Sequence, residues 1–199
     1  MIYDRLARFY DRAFQPLENR FLASWRTEAL SNLPEHAALL EIGAGTGLNF
    51  RHYPTFRTAV ATEISINMLG FAGRKTTSIK LTQASAEQLP FGDKSFDAAF
   101  GTLVFCSIPD PMKAFDELLR VVKPGGRVVL LEHVRPGGFL GLVFDLISLF
   151  TVALFDDHFN RDTAMIAENS GLMIEKVRIK AGGAVNLIVC RTPDRPSVD

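Results

Sequence analysis

Short apolar runs alternate along the chain with segments whose apolar residues recur every three or four positions. The runs are AALLEI, starting at Ala37, then TAVATEIS (58–65), SIKLTQAS (78–85), SFDAAFGTLVF (95–105) and RVVLLEHV (127–134). Runs of this length that end in glycine or polar residues predict buried parallel strands. Between them, NMLGFAGRK reads as a short helix. Asp110-Pro111 marks the start of another, an N-cap acid followed by proline at the first helical position. Phe115, Leu118, Leu119 and Val122 form its apolar face, and Lys123-Pro124-Gly125-Gly126 stops it. LMIEKVRI and AVNLIVCR close the pattern as two strands, with Gly182-Gly183 between them as a hairpin signal. Before the first strand, Leu6, Phe9, Tyr10, Ala13, Phe14, Leu17, Phe21 and Trp25 recur at helical spacing. Arg5, Arg8, Arg12, Arg20 and Arg26 take the other positions, opposite the apolar ones, a face suited to the interface of an anionic membrane. Pro16 is expected to split this segment into two helices, and Pro34 to end the second.

Strands alternating with helices predict an α/β fold with a parallel sheet and right-handed crossovers. The closing strand pair adds one antiparallel strand near the sheet edge. A chain of 199 residues suits a single domain. Its expected parts are an N-terminal helical lid (1–33), a central core (37–135), an apolar insert (136–170) and the closing strands (171–192). Lys plus Arg and Asp plus Glu number 22 each, so no basic surplus supports nucleic-acid binding. The two cysteines, Cys106 and Cys190, lack metal-ligand spacing, so no metal is expected, and Cys106 reads as packing. The charged start, MIYDRLARFYDR, does not read as a signal peptide, and a cytoplasmic setting is the expectation.

The sharpest motif is LLEIGAGTG, residues 39–47. Its glycines allow a tight turn and close approach of the backbone to a ligand. Glu63 ends the second strand 20 residues after Gly43, an offset at which an acid reaches ribose hydroxyls. Together they predict a nucleoside site. The spacing is GxGxG, not the GxGxxG of a dinucleotide site, and Glu41 precedes the first glycine. A negative charge there suits a sulfonium or an amino group better than a pyrophosphate, which argues against a nicotinamide-dependent dehydrogenase.

LLEIGAGTG, ATEIS, AEQLPFGDKSFD and LLRVVKPGGRVVLLEHV occur in this order between residues 39 and 135. In this combination the chain resembles the class I S-adenosylmethionine (SAM)-dependent methyltransferases, in the branch of quinone-biosynthesis and phospholipid methyltransferases. The resemblance implies a Rossmann-like, mostly parallel seven-stranded sheet with one antiparallel strand in its edge region and helices on both faces. It implies SAM as cofactor and S-adenosylhomocysteine as product. By the same resemblance Glu41, Gly43, Ala44, Gly45 and Gly47 would hold the methionine end of SAM, and Glu63 the ribose. Ile64 would lie on the adenine face, with Ser85, Ala86 and Glu87 at the adenine edge. Thr102 and Leu103 would line the floor near the sulfonium. Ser85 departs from the family pattern, which has an Asp there. Asp97 reads as structural.

Methyl transfer from a sulfonium needs alignment first, and a base only for a protonated acceptor. His133, at the end of the fifth run, is a candidate proton acceptor, set against a merely buried or orienting role. His158 lies in FDDHFNRD, which resembles segments of methyltransferases acting on lipid-like acceptors or alkyl thiols. There Arg161 and Asp162 are expected to form a helix-start salt bridge. Tyr3 and Tyr10 resemble tyrosines that close over SAM, with Tyr10 a candidate for a cation–π contact or a core position. Residues 139–155 hold 13 apolar positions of 17, broken by Gly141, Asp145, Ser148 and Thr151. This segment predicts an apolar helix that is buried, lines an acceptor pocket or dips into a membrane surface. With the aromatic N-terminal segment it favours a hydrophobic acceptor. The expectation is a monomeric methyltransferase, possible at a peripheral membrane surface, acting on a lipid-like acceptor, first the phosphatidylethanolamine head group. A quinone carbon, a small thiol or amine, and a non-catalytic SAM-binding regulator are the alternatives.

Overall fold

The computed structural model describes residues 15–134 and 161–194. A π-turn, Glu18–Leu22, runs into helix α1 (Ala23–Leu30). Then come β1 (Ala37–Ile42), a 3-10 turn at Phe50–His52, β2 (Phe56–Glu63), α2 (Ile66–Ala72), β3 (Lys80–Gln83) and β4 (Phe96–Thr102). α3 (Pro111–Val121), β5 (Val122–His133), α4 (Thr163–Asn169), β6 (Met173–Lys180) and β7 (Val185–Arg191) follow. The strands form one seven-stranded sheet in the order β3-β2-β1-β4-β5-β7-β6. Neighbours from β3 to β5 are parallel, while β7 is antiparallel to both β5 and β6. The antiparallel strand therefore lies one place in from the edge, as the closing hairpin requires. Gly182 and Gly183 make that turn at φ of 63° and 99°.

β1 is buried throughout, because a central parallel strand is covered on both faces. On one face Leu40, Ile42, Leu130 and Ile188 pack with Phe105, Phe115 and Leu118; on the other Leu39, Phe100, Leu131 and Leu187 pack with Ala29 and Leu30. The α3 start is as expected, the Asp110 carboxylate accepting from Lys113 N–H. Asp97 joins the strands at their entry end: it accepts from the Ala38 N–H at 2.7 Å and pairs with Arg57 and Lys123. Burial opposes its ionisation, but the Ala38 N–H, Lys123 and Arg57 outweigh it and hold the carboxyl at about 2.

Several expectations change. β3 is only four residues long, leaving Ser85 outside it in an isolated bridge with Gln88. β5 begins directly after α3, and its register with β4 is broken between Phe96 and Ala98. The N-terminal helix is also turned differently. Leu17 and Phe21 are exposed, whereas Glu18, Leu22, Arg26, Ala29 and Leu30 face inward. Arg26 is 5% exposed and not on a solvated face. The π-turn carries this change, Ala23 N–H bonding back to Glu18 O, since an added residue per turn rotates the faces. Pro16 lies at the border of the described residues. Tyr3, Tyr10, His158 and residues 139–155 lie outside them.

Candidate functional site

The carboxyl ends of β1, β2, β4 and β5 converge where open parallel sheets bind ligands. The β1–β2 crossover opens with three glycines at positive φ: Gly43 at 64°, Gly45 at 54° and Gly47 at 80°. Their surroundings differ. A side chain on Gly43 would meet Val104 Cγ2 at 2.1 Å, and one on Gly47 would meet the Phe50 ring at 2.5 Å. Nothing lies within 4 Å of the corresponding position on Gly45. Gly43 and Gly47 are thus bare for packing, and Gly45 is the one open to a ligand.

Glu63 stands beside that opening. Its Oε2 accepts from Gly45 N–H and its Oε1 from Ser65 N–H, both at 2.9 Å. It therefore fixes the loop while each oxygen keeps a lone pair for a hydroxyl. Ile64, next to it, is 42% exposed, an apolar surface suited to an aromatic ring. At the adjoining strand end the Ser85 hydroxyl bonds to Glu87, and Glu87 Oε1 accepts from Asp110 N–H at 2.7 Å. Glu87 thereby ties the third loop to the start of α3. Ala86 is half-buried beside it.

Beneath the loop lies a buried polar network. Glu41 is fully buried; its Oε1 accepts from Asn49 Nδ2 and its Oε2 from Tyr53 O–H, both at 2.5 Å. Burial pushes its carboxyl up to about 7, against the pull of Tyr53, Asn49 and Arg26 and with a push from Glu63. Burial and the Glu41 charge raise the Tyr53 hydroxyl well above its ordinary value. Asn49 also donates to Thr102 Oγ1 at 2.8 Å. Arg26 donates to Glu18 at 3.1 Å, Asn49 Oδ1 at 2.8 Å and Thr102 Oγ1 at 2.5 Å. Glu41 thus supports the glycine loop from below.

After β4 the chain turns at Leu103, a non-glycine residue at φ 56°, held by its N–H on Leu131 O at 2.7 Å. Glu132, also fully buried, accepts from Val104 and Phe105 N–H. Burial lifts its carboxyl to about 8, against those donors and the charges of Arg26 and Arg161. His133 ends β5 half-buried, opposite Val185. Arg161 bonds to the carbonyls of Phe105 and Ile108, and Asp162 caps the start of α4 through Met165 N–H. Cys106 is buried.

The structure therefore brings together Gly45, Glu63, Ile64, Ser85, Ala86 and Glu87 at the rim, with Glu41 and Thr102 below. Glu18, Arg26, Asn49 and Tyr53 join them without a sequence signal. No local pattern marks them, because their partners come from other elements. A cavity of about 670 Å³ beside Gly47 is lined by Phe50, Arg51, Lys75 and Thr76, and includes neither Gly45 nor Glu63. Among the described residues no helix is long and apolar enough to cross a membrane.

The open Gly45 position beside an acid and an exposed isoleucine fits a nucleoside whose sulfonium side chain follows the loop. Comparison with known proteins agrees. Residues 40–130 match the methyltransferase domain family. The chain is 31% identical over 77% of its length to the demethylmenaquinone methyltransferase of Bacillus licheniformis, covering 71% of that protein. It is 32% identical over 61% of its length to the human thiol S-methyltransferase TMT1A, covering 55% of it. Of another demethylmenaquinone methyltransferase, from Paenarthrobacter aurescens, it spans 54%. Among solved structures, a SAM-dependent methyltransferase of Thermotoga maritima, described as a possible histamine N-methyltransferase, superposes with a TM-score of 0.73 at 23% identity. That match covers 96% of this chain and 97% of the other. The glycine loop, the acid at the end of β2, the strand order and these relatives together place the chain in the SAM-dependent methyltransferase family.

Proposed function

We propose that the chain transfers the methyl group of SAM to a carbon of an apolar, quinone-like ring. The observation that carries the cofactor half is the pairing of open Gly45 with Glu63. Gly45, Glu63 and Ile64 would hold the nucleoside, and SAM supplies an electrophilic methyl on sulfur. The acceptor half is supported by the relatives named as demethylmenaquinone methyltransferases and by the apolar sequence at 139–155. In this reaction a ring carbon forms the new C–C bond, the methyl–sulfur bond breaks, and the ring carbon gives up its proton. The likeness to TMT1A favours a second reading, an alkyl thiol as acceptor. The phosphatidylethanolamine head group ranks behind both, since it rests on sequence character alone.

The test incubates the protein with methyl-labelled SAM and three acceptors in parallel. These are a prenylated demethylnaphthoquinol in detergent, an alkyl thiol, and phosphatidylethanolamine vesicles. Label carried on the naphthoquinone is the expected result. Label confined to the thiol or to the phospholipid overturns the ring reading and assigns the acceptor class instead.

A further inference from the structure

We propose that Arg26 is a positioning residue, coupling the docked N-terminal helix to the shape of the cofactor loop. The inference rests on the SAM reading of the site. Arg26 comes from α1, outside the glycine loop, yet its guanidinium reaches the layer that supports it. Its side chain is 7% exposed. Three acceptors surround it: Glu18 on the preceding π-turn, Asn49 in the β1–β2 crossover, and Thr102 at the end of β4.

The consequence follows from donor and acceptor chemistry. An amide side chain has one accepting oxygen and one donating nitrogen. Arg26 donates to Asn49 Oδ1, which fixes the amide so that Nδ2 points to Glu41 and Thr102. Thr102 Oγ1 accepts from both Arg26 and Asn49, so its own proton is left to donate elsewhere. Without Arg26 the amide oxygen loses its donor, and only Glu41 and Thr102 hold the side chain. Asn49 is then held from one side, which frees the β1–β2 crossover to shift.

Glu18 has a second ion pair, to Arg51 at 3.1 Å, so the π-turn and the crossover are clasped at two points. The π-turn gives the arrangement its geometry, placing Glu18 and Arg26 on one inner face. Such wide turns recur at functional positions in helices. A cation that only offset buried charge would not need to hold an amide and a hydroxyl as well.

The charges facing Glu41 are those of Arg26 and Glu63, with the Tyr53 hydroxyl in direct contact. Arg26 also acts on Glu132 and on His52, which lies beside Arg51. The Tyr53 hydroxyl both donates and accepts, so Glu41 keeps its contacts with Asn49 and Tyr53 in either protonation state. The Glu41 midpoint is raised, so its contribution to stability is complete below pH 4.5 and is lost as pH rises through about 7. Arg26 lowers that midpoint, so removing it moves this loss to higher pH.

The test measures S-adenosylhomocysteine binding by calorimetry, and thermal unfolding from pH 6 to 9 for the pH midpoint, in wild type, Arg26→Lys, Arg26→Met and Leu22→Ala. Leu22 is buried on the same inner face but makes none of these hydrogen bonds, so it reports on helix docking alone. The wild-type melting temperature is expected to fall as pH rises through about 7. Arg26→Met is expected to bind about tenfold more weakly, the loss of one charge-assisted hydrogen bond, with its pH midpoint displaced upward. Arg26→Lys keeps the charge and loses the fork, so it weakens binding but holds the wild-type midpoint, and it carries the test if Arg26→Met does not fold. Leu22→Ala is expected to lower the melting temperature without moving the midpoint. Equal midpoints in wild type and Arg26→Met, or wild-type affinity in Arg26→Lys, overturn the coupling. Absence of binding by wild type overturns the SAM reading and the inference with it.

Discussion

Glu132 offers a sharp test of how buried acids act in this fold. Its carboxyl is fully buried at the end of β5, where it receives the Val104 and Phe105 N–H groups. Its midpoint lies at about 8 in the folded protein, against an ordinary 4.5. A carboxyl whose folded midpoint is raised binds its proton more tightly in the native state. Its contribution is therefore complete below pH 4.5 and is lost as pH rises through about 8. A displacement of that size is worth up to about 5 kcal/mol, or roughly 10 °C in melting temperature for a domain of this length. Glu132→Gln removes the ionisation and keeps a carbonyl for the two N–H donors. It also brings a buried NH2, at a cost of about 1–3 kcal/mol. The variant is expected to melt below wild type at pH 6 and to match or exceed it at pH 9, so the two curves cross. Any remaining decline below pH 7 in the variant belongs to Glu41, whose midpoint is also raised. The assay is thermal unfolding followed by circular dichroism across pH 5.5–9. Parallel curves refute the argument, for they would mean that Glu132 stays ionised on the Val104 and Phe105 N–H groups throughout.

The glycine loop separates packing from binding. Gly43→Ala drives a methyl into Val104 and is expected to lower the melting temperature markedly; Gly45→Ala meets no atom and is expected to cost about 1 kcal/mol in strain while sharply weakening S-adenosylhomocysteine binding. Calorimetry on both checks this, and full binding by Gly45→Ala would show that the ligand does not approach there. Asp97 has the opposite pH sign from Glu132: with its midpoint lowered from 3.8 to about 2, its contribution is present above pH 3.8 and lost as pH falls through about 2. Asp97→Asn is expected to flatten acid unfolding in that window and leave cofactor affinity unchanged, as unfolding and binding curves would show.

Much of the frame was legible in the chain. The apolar runs located all seven strands, Asp110-Pro111 located the start of α3, and LLEIGAGTG with Glu63 located a glycine turn and the acid that accepts from it. These features are local: a strand buried on both faces must be continuously apolar, a helix start must cap its own N–H groups, and a tight turn must use glycine. The strand ends were less legible, since pairing with a neighbour decides where β3 stops and how early β5 begins.

The orientation of charged residues was not legible at all. By periodicity Arg26 belonged with the arginines opposite the apolar face, and Phe21 on that face; the fold exchanges them. Glu41 was visible as an acid before the glycines, but not as one enclosed by Asn49 and Tyr53. A buried charge is tolerable only beside the groups that satisfy it. For Arg26 those groups are Glu18 on its own helix, Asn49 in the first crossover and Thr102 at the end of β4. Sequence alone determined which strands, turns and caps this chain forms and that its loop suits a nucleoside. Tertiary structure decided which charges lie inside and what they hold, because the free energy of a buried charge depends on partners that only the assembled sheet brings within reach.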